Sequence, residues 1–305
     1  MVDLKSIRQP VVAGQFYPRN KQELIQQIKE CFLDSRGSGY IPDIKQGNKK
    51  IIGIIVPHAG FIYSGAIATH AYSCLAENGF ADTFIILGPN HTGRGSGVSI
   101  MTNGSWKTPL GDVPINSEVA KNIYKGIIDL DEAAHSFEHS IEVQLPFIQF
   151  LAKDRNFDFV PICLMMQDSD TSLEIGNILA DVIKKTKKSV VIIASSDFSH
   201  AGFNYMSMPP VGMKVEAFAE KQDKQAINHI LKMDPENLIK TIQEKNITMC
   251  GYGPVSCLLV AAKKLGASNV DLLKYGTSCE VYPGTSCVGY GAITIYDKRL
   301  KKPRI

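Results

Sequence analysis

Three polar clusters in the sequence contain residue types that bind metal ions or transfer protons. The clusters hold His58, His91 and the pair Asp197 and His200, and each closely follows a short apolar run. Runs of this length that are rich in β-branched residues are typical of strands buried on both faces of a sheet. Imidazole nitrogen and carboxylate oxygen are common ligands of non-haem iron and zinc. The three apolar runs are Ile51–Val56, Thr83–Gly88 and Ser189–Ala194.

A fourth candidate ligand is Cys250, which lies in the segment M-C-G-Y-G-P. The apolar run Val255–Lys264 predicts a helix directly after this segment, and Pro254 suits the first helical position. Because the free N–H groups at the start of a helix favour negative charge, we expect them to lower the pKa of the Cys250 thiol. A thiolate is a soft ligand that suits zinc, copper or iron. The sequence therefore predicts a reactive cysteine that binds metal.

A second pattern competes for the metal. The run His135-Ser-Phe-Glu138-His139 matches H-x-x-E-H, the inverted motif of some zinc proteases. A helix is predicted over His135–Ala152, with a kink at Pro146, and it would place the two imidazoles four residues apart on one face. Three fixed positions make a weak signal, so we favour the strand-end residues as ligands. We expect His139 to line the pocket or to support a ligand from behind.

Strands and helices alternate along almost the whole chain. This pattern predicts an α/β fold with a mainly parallel or mixed central sheet that is flanked by helices. The carboxyl ends of parallel strands lie at one edge of a sheet, which would bring His58, His91 and Asp197 together. The segment Trp106–Pro114 is predicted to be a turn-rich excursion. Neither a repeat nor a linker interrupts the pattern, so we predict a single domain over residues 1–305.

The composition argues against several classes of protein. The chain has 305 residues, of which 44% are hydrophobic and 21% charged, and its net charge is +3. Apart from the run Lys298–Arg304, which we interpret as a solvated tail, its basic residues are spread along the chain, which argues against a nucleic-acid partner. No apolar run has the length needed to span a membrane, and the N-terminus lacks the apolar core of a signal peptide. The seven cysteines form no C-x-x-C pair, which predicts reduced thiols and a cytoplasmic location.

Six segments of the chain carry a resemblance to a known family. They are V-P-H-A-G-F-I-Y-S-G, L-G-P-N-H, W-K-T-P-L-G-D-V, E-H-S-I-E-V-Q-L-P-F, S-S-D-F-S-H and C-G-Y-G-P. In this order they resemble the Memo family, which is similar in fold to class III (LigB-type) extradiol dioxygenases. The resemblance implies a non-haem metal pocket with His58, His91 and Cys250 as ligands, and with Asp197 and His200 beside it. In those dioxygenases the third ligand is a carboxylate, so the thiol here argues against cleavage of a catechol-type ring.

Two functions from different classes fit these residues. The first is a metal-dependent, dioxygenase-like redox enzyme in which His200 and Asp197 are catalytic, because the ordinary pKa of histidine suits proton transfer near neutral pH. Iron or copper would be its metal, with zinc as the alternative. The second is a non-catalytic binding module in which Tyr63 and His139 line a pocket for a phosphotyrosine-like or other anionic or aromatic ligand. That ligand would be a small molecule or a peptide, and the sequence leaves its identity open.

Overall fold

The structure is a computed structural model that describes residues 6–45 and 51–297. A large mixed sheet flanked by helices forms its centre, which confirms the predicted fold class. The strands are β1 (Ile7–Arg8), β2 (Ile51–Val56), β3 (Thr83–Pro89), β4 (Val98–Ile100), β5 (Ser105–Thr108), β6 (Gly111–Pro114), β7 (Asp129–Leu130), β8 (Asp158–Leu164), β9 (Val190–Ser195), β10 (His200–Gly202), β11 (Asn269–Thr277) and β12 (Ser286–Tyr296). The α-helices are α1 (Lys21–Leu33), α2 (Phe61–Asn78), α3 (Ser117–Ile123), α4 (Leu145–Ala152), α5 (Ser169–Lys185), α6 (Val215–Leu231), α7 (Pro235–Glu244) and α8 (Tyr252–Lys264).

The central sheet combines parallel and antiparallel strands. Its order is β10-β12-β2-β9-β3-β8-β4-β7, and β11 pairs with β12 beside this path. The middle strands β2, β9, β3 and β8 are parallel to one another, whereas β12 and β4 join them in antiparallel pairs. In the part of the chain that the structure describes, a smaller sheet contains β1, β5 and β6.

The three buried strands that precede the polar clusters end side by side, as predicted. Strand β9 lies between β2 and β3, so that Val56 pairs with Ser195 and Leu87 pairs with Ala194. The carboxyl ends of these strands therefore lie at one edge of the sheet, where ligands bind in open α/β folds. His58, His91 and Asp197 all follow this edge directly.

A glycine in β2 allows α8 to pack closely on the sheet. A Cβ atom at Gly53 would lie 2.3 Å from Cδ1 of Leu258, so a larger residue would push the helix outward. Leu258 is fully buried, and burial of a leucine side chain contributes roughly 1.5–3 kcal/mol to stability. Because Cys250 lies two residues before α8, this contact also fixes the distance of Cys250 from the strand that leads to His58.

Two predicted segments differ from the structure. Residues 135–141 form turns rather than a helix, and a 3₁₀ turn at Glu142–Gln144 leads into α4. Pro146 lies in the first turn of α4, where its missing N–H costs nothing, so it starts this helix instead of kinking it. The segment predicted as turn-rich contains the hairpin of β5 and β6, in which the buried Trp106 pairs with Val113.

One large hydrophobic core extends from Val12 near the start of the described chain to Ile295 in β12. A second, smaller cluster lies beside β10 and α6, and contains Ala201, Ala219, Cys279 and Cys287. Among the helices of residues 6–45 and 51–297, none is both long and apolar enough to cross a membrane.

Candidate metal centre

Three side chains with metal-binding atoms meet at the sheet edge. One ligand atom each from His58, His91 and Cys250 lies within 4.8 Å of the other two. His58 follows β2, His91 follows β3, and Cys250 lies in the segment that leads into α8. His58 is buried, Cys250 is partly buried and the His91 residue is exposed, so the group opens to solvent on one side.

A hydrogen-bond network fixes the tautomer of His58. The Ser195 hydroxyl donates its single proton to the Ser140 carbonyl at 2.6 Å and accepts a bond from Gln144 Nε2 at 2.8 Å. The contact of 2.9 Å between Ser195 Oγ and His58 Nδ1 therefore requires the proton on Nδ1. Gln144 is itself fixed, because Tyr72 donates to its Oε1 at 2.7 Å. The lone pair of His58 Nε2 consequently points to the centre, as a metal ligand requires.

The pKa of His58 agrees with this role. Burial, and then the nearby imidazoles of His91, His139 and His200, hold the pKa of His58 well below its ordinary value. The ring is therefore neutral at neutral pH, which is the form that binds metals.

Glu138 orients His91 in a similar way. The His91 ring donates from Nδ1 to Glu138 Oε1 at 2.9 Å, and the His91 backbone N–H donates to Oε2 at 2.6 Å. Burial opposes the charge of Glu138, but the bond from His91, the charges of His91 and His139 and the Ser140 N–H lower its pKa to about 2. A carboxylate that only accepts bonds fixes the proton on Nδ1 of His91 and leaves Nε2 available.

Cys250 lies against His58, but its thiol is not activated as predicted. Its Sγ is 3.2 Å from His58 Nε2 and 3.6 Å from the carbonyl of Asp197. Burial, followed by the charge of Asp197, raises the pKa of Cys250 well above its ordinary value, which corrects the predicted lowering. The helix also starts at Tyr252, so Pro254 is its third residue rather than its first. In the absence of a bound cation, desolvation outweighs the favourable end of the helix.

Asp197 holds the turn that carries His58. Its Oδ1 accepts the His58 backbone N–H at 2.7 Å, and its carboxylate also accepts the Ala59 N–H. Burial raises the pKa of Asp197, against the opposing influence of His200 and these N–H groups. The structure thus places Asp197 beside the metal-binding atoms and in contact with the backbone of a candidate ligand.

His200 has one ring nitrogen available for a ligand. Its Nδ1 donates to the Thr248 carbonyl at 3.0 Å, and its backbone N–H donates to Thr248 Oγ1 at 2.8 Å. Nε2 is therefore the unprotonated nitrogen in the neutral ring. The edge of the ring packs against Tyr205, with the ring centroids 5.0 Å apart.

A cavity of about 390 Å³ adjoins the candidate ligands His58 and His91, whereas Cys250 lies behind them and is not among its described lining residues. Aromatic side chains form much of its wall, and neither lysine nor arginine is among the described residues that line it. Tyr63 and His139 both lie in this wall, together with His58, His91, Asp197 and His200. The remaining lining residues are Phe16, Ala59, Gly60, Asn204, Tyr205, Ser278, Tyr282, Ser286, Cys287, Val288 and Tyr290.

The competing H-x-x-E-H pattern does not bring its own three residues together, although Glu138 and His139 form with His91 a second group whose ligand atoms lie within 4.8 Å of one another. His135 is fully buried, and its ring packs on Trp106 with the centroids 5.8 Å apart. His139 instead stacks on His91, with the centroids 4.7 Å apart and an interplanar angle of 22°. Because residues 135–141 are not helical, the two imidazoles do not share one face, and Glu138 supports His91 instead.

Sequence analysis missed the residues that support the ligands. Glu138, Ser195 and Gln144 contact a candidate ligand or the network behind it, and Tyr205 packs against His200, but none of the four had an assigned role. Glu138 was noticed only as part of a protease-like pattern. The sequence did contain a signal for Ser195, because this residue lies at the end of the buried strand β9 and two residues before the predicted Asp197.

The donor set fits a transition-metal ion. Typical distances are about 2.0–2.1 Å from zinc to imidazole nitrogen and about 2.3 Å to thiolate sulfur, so ligands of one ion lie roughly 3–4.4 Å apart. The ligand atoms of His58, His91 and Cys250 lie within 4.8 Å of one another, which is close to this range. Two imidazoles with free Nε2 atoms and one soft sulfur are ligands for iron, copper or zinc rather than for magnesium or calcium.

Comparison with known proteins gives consistent matches along the chain. The profile of the family described as Memo-like protein matches residues 8–294. A MEMO1 family protein of Methanococcus maripaludis is 46% identical over 295 residues, which cover 94% of this chain and 99% of that protein. A MEMO1 family protein of Methanopyrus kandleri is 43% identical over 289 residues, which cover 94% of this chain and 98% of that protein.

A solved structure has a similar fold. An uncharacterized protein from Escherichia coli K12 superposes with a TM-score of 0.53 and 13% sequence identity. The match covers 79% of this chain and 99% of that protein. At this identity, the similarity concerns the arrangement of strands and helices alone.

Proposed function

The chain belongs to the Memo family, and we propose that it binds one iron or copper ion through His58, His91 and Cys250 and performs redox chemistry on a small molecule. The observation that carries this proposal is the approach of three soft or borderline ligand atoms within 4.8 Å. His58 donates its Nδ1 proton to Ser195, and His91 donates its Nδ1 proton to Glu138, which leaves both Nε2 atoms free for a metal. A bound iron or copper ion supplies a redox couple and open positions for a ligand from the cavity.

The cavity residues bind the substrate and move its proton. His200 presents Nε2 as a general base that accepts a proton from a substrate hydroxyl or amine, while Thr248 keeps its ring in place. Tyr63, Tyr205 and Tyr282 provide flat surfaces that orient an aromatic or unsaturated substrate. The cavity volume of about 390 Å³ suits a small molecule rather than a folded domain.

A non-catalytic binding module is the second candidate. The aromatic wall of the cavity favours it, because such walls also hold ligands without reaction. A phosphate group is most often recognised by arginine or lysine, and neither residue type lines the described cavity. A neutral aromatic ligand therefore fits this module better than a phosphotyrosine-like one.

Metal content and turnover test the two parts of the proposal separately. Protein purified without oxygen is analysed for metals, and oxygen uptake is then measured with a panel of small phenols and amines. We expect about one iron or copper ion per chain in the wild type and a strong loss of metal in His58→Ala, His91→Ala and Cys250→Ser. His200→Gln should keep its metal but lose turnover. Wild-type protein that binds aromatic ligands without metal and without oxygen uptake would support the binding module instead.

A further inference from the structure

Two cysteines outside the metal centre lie next to each other beside the cavity. Cys279 is in a 3₁₀ turn, and Cys287 is the second residue of β12. Two hydrogen bonds join these segments: the Val288 N–H donates to Ser278 Oγ at 2.9 Å, and the Cys279 thiol donates to the Ser286 carbonyl at 3.7 Å. These two bonds hold the segments that carry Cys279 and Cys287 together, although the two cysteines are not adjacent in sequence.

The two thiols are also close to each other. They share a small apolar cluster with Ala201 and Ala219, and the nearby Cys287 contributes to the raised pKa of Cys279. Cys279 is 7% exposed and Cys287 is fully buried. The pair is therefore shielded from bulky thiol compounds but is close enough for a direct reaction between the two sulfur atoms.

We infer that Cys279 and Cys287 form a reversible disulfide bond when the protein meets hydrogen peroxide. The sulfur of one thiolate attacks a peroxide oxygen, the O–O bond breaks, and a sulfenic acid and one water form after proton transfer. The second sulfur then attacks the sulfenic sulfur, the S–S bond forms, and the hydroxyl leaves as a second water. In total, two thiols lose two electrons and two protons, and one peroxide becomes two waters.

The disulfide would fix one wall of the cavity. Residues 280–286 lie between the two cysteines, and Tyr282 and Ser286 from this segment line the cavity. Tyr282 is 73% exposed, so its position depends on the conformation of its own segment more than on packing. Closing the segment into a covalent loop removes conformational freedom from it. Oxidation would therefore restrict the shape of the cavity without changing the metal ligands.

Peptide mapping tests this inference on the full-length protein. The chain is treated with hydrogen peroxide, its free thiols are blocked after denaturation, and it is digested with trypsin and with a protease specific for glutamate. Cleavage after Lys274 and Glu280 separates the two cysteines, so only a disulfide can join their peptides. We expect the joined pair of peptides in the wild type, its loss on reduction, and its absence in Cys279→Ser.

Cys31 provides an internal control, because its exposure and pKa match those of Cys279. Cys31 is 6% exposed, and burial raises its pKa to about 12. The pKa of Cys279 is also raised to about 12, by burial and by the adjacent Cys287. Under the same treatment, Cys31 should not appear in any disulfide-linked pair of peptides. Hydrogen exchange should also become slower for the backbone N–H groups of Val281, Tyr282, Gly284 and Thr285 in the oxidised protein. Free thiols at both Cys279 and Cys287 after treatment, or an equal yield of disulfide at Cys31, would overturn the inference.

Discussion

At the scale of single residues, Ser195 decides which nitrogen of His58 faces the metal centre. Without its hydroxyl, the proton of His58 loses its acceptor, and the ring can turn or change tautomer. We therefore expect Ser195→Ala to weaken metal binding by about 10–100-fold, which is typical for residues that support a ligand. Competition with a zinc chelator measures this loss.

Ser199→Ala is the matched control for this change, because Ser199 follows the same strand and is equally buried but lies outside the network around His58. It should keep the wild-type affinity. Equal affinities for Ser195→Ala and the wild type would show that the network does not orient His58.

Cys250 should make metal binding depend on pH. Burial and Asp197 raise the pKa of its thiol, so the proton is present at neutral pH and has to leave when a metal binds. The affinity should therefore rise by about tenfold per pH unit as the pH increases toward that pKa. Zinc titrations between about pH 6 and pH 8 measure this slope, which should decrease in Cys250→Ser. A wild-type slope no greater than that of the variant would mean that the thiol does not bind the metal.

The candidate ligands were easier to find in the sequence than the residues that contact them. His58, His91 and Cys250 are chemically distinctive and lie next to strong strand or helix signals. Glu138 could not be assigned, because its bond to His91 joins residues that are distant in sequence. The predicted direction of the shift in the Cys250 pKa was also wrong, because a sequence shows the start of a helix but not how deeply a sulfur atom is buried.

At the scale of secondary-structure elements, Asp223 in α6 connects the segment between β9 and β10 to β11. Its carboxylate accepts the Ser199 N–H and the Tyr275 hydroxyl, both at 2.8 Å. Burial outweighs these bonds and raises the pKa of Asp223 from 3.8 to about 6. The folded protein thus binds this proton more tightly than the unfolded chain, so its contribution to stability is complete below about pH 4 and is lost as the pH rises through about 6.

Asp223→Asn should remove this pH dependence. Between about pH 5 and pH 7.5, the free energy of unfolding of the wild type should fall by about 1.4 kcal/mol relative to the variant. Urea denaturation at both pH values measures the difference, and the exposed Asp129→Asn serves as control. A difference that stays constant across this range would contradict the raised pKa.

The wrong helix prediction for His135–Ala152 has a local physical cause. Periodic apolar residues continue through this range, but Glu138 accepts backbone N–H groups from His91, His139 and Ser140. A glutamate that binds backbone donors in this way holds the chain in turns, and the helix begins only at Leu145. The other long helices and the buried strands followed their hydrophobic patterns to within a few residues, because their faces are buried in one core.

At the scale of the whole molecule, the candidate metal centre joins distant parts of the chain. Cys250 and His58, which are in contact, lie 192 residues apart in sequence. An ion bound to the folded state alone stabilises that state, by about 2.7 kcal/mol at a hundred times its Kd. We expect zinc to raise the Tm by a few degrees in the wild type and in Cys74→Ser, but not in Cys250→Ser.

Cys74 is suited to this comparison because its thiol lies near the Thr294 hydroxyl, which can accommodate a serine, and because it is not a member of either candidate metal-binding group. Differential scanning calorimetry with and without zinc measures the shift. The same increase of Tm in Cys250→Ser as in the wild type would place the bound zinc elsewhere.

The mixed sheet and the meeting of three strand ends could be predicted because buried β-branched runs and intervening helices allow few arrangements. The antiparallel pairing of β12 with β2 was harder to predict from the sequence, because the two strands lie far apart along the chain. Hydrophobic patterns show which segments are buried but do not state which segments are neighbours.

Cobalt absorption tests the central claim most directly, because sulfur bound to Co²⁺ gives a charge-transfer band in the near ultraviolet. The protein is titrated with Co²⁺ without oxygen, in the wild type, Cys74→Ser and Cys250→Ser. We predict that the band appears in the wild type and in Cys74→Ser, saturates at one ion per chain, and is absent in Cys250→Ser. A band that persists in Cys250→Ser, or cobalt binding by the wild type without a band, would contradict a metal site built from His58, His91 and Cys250.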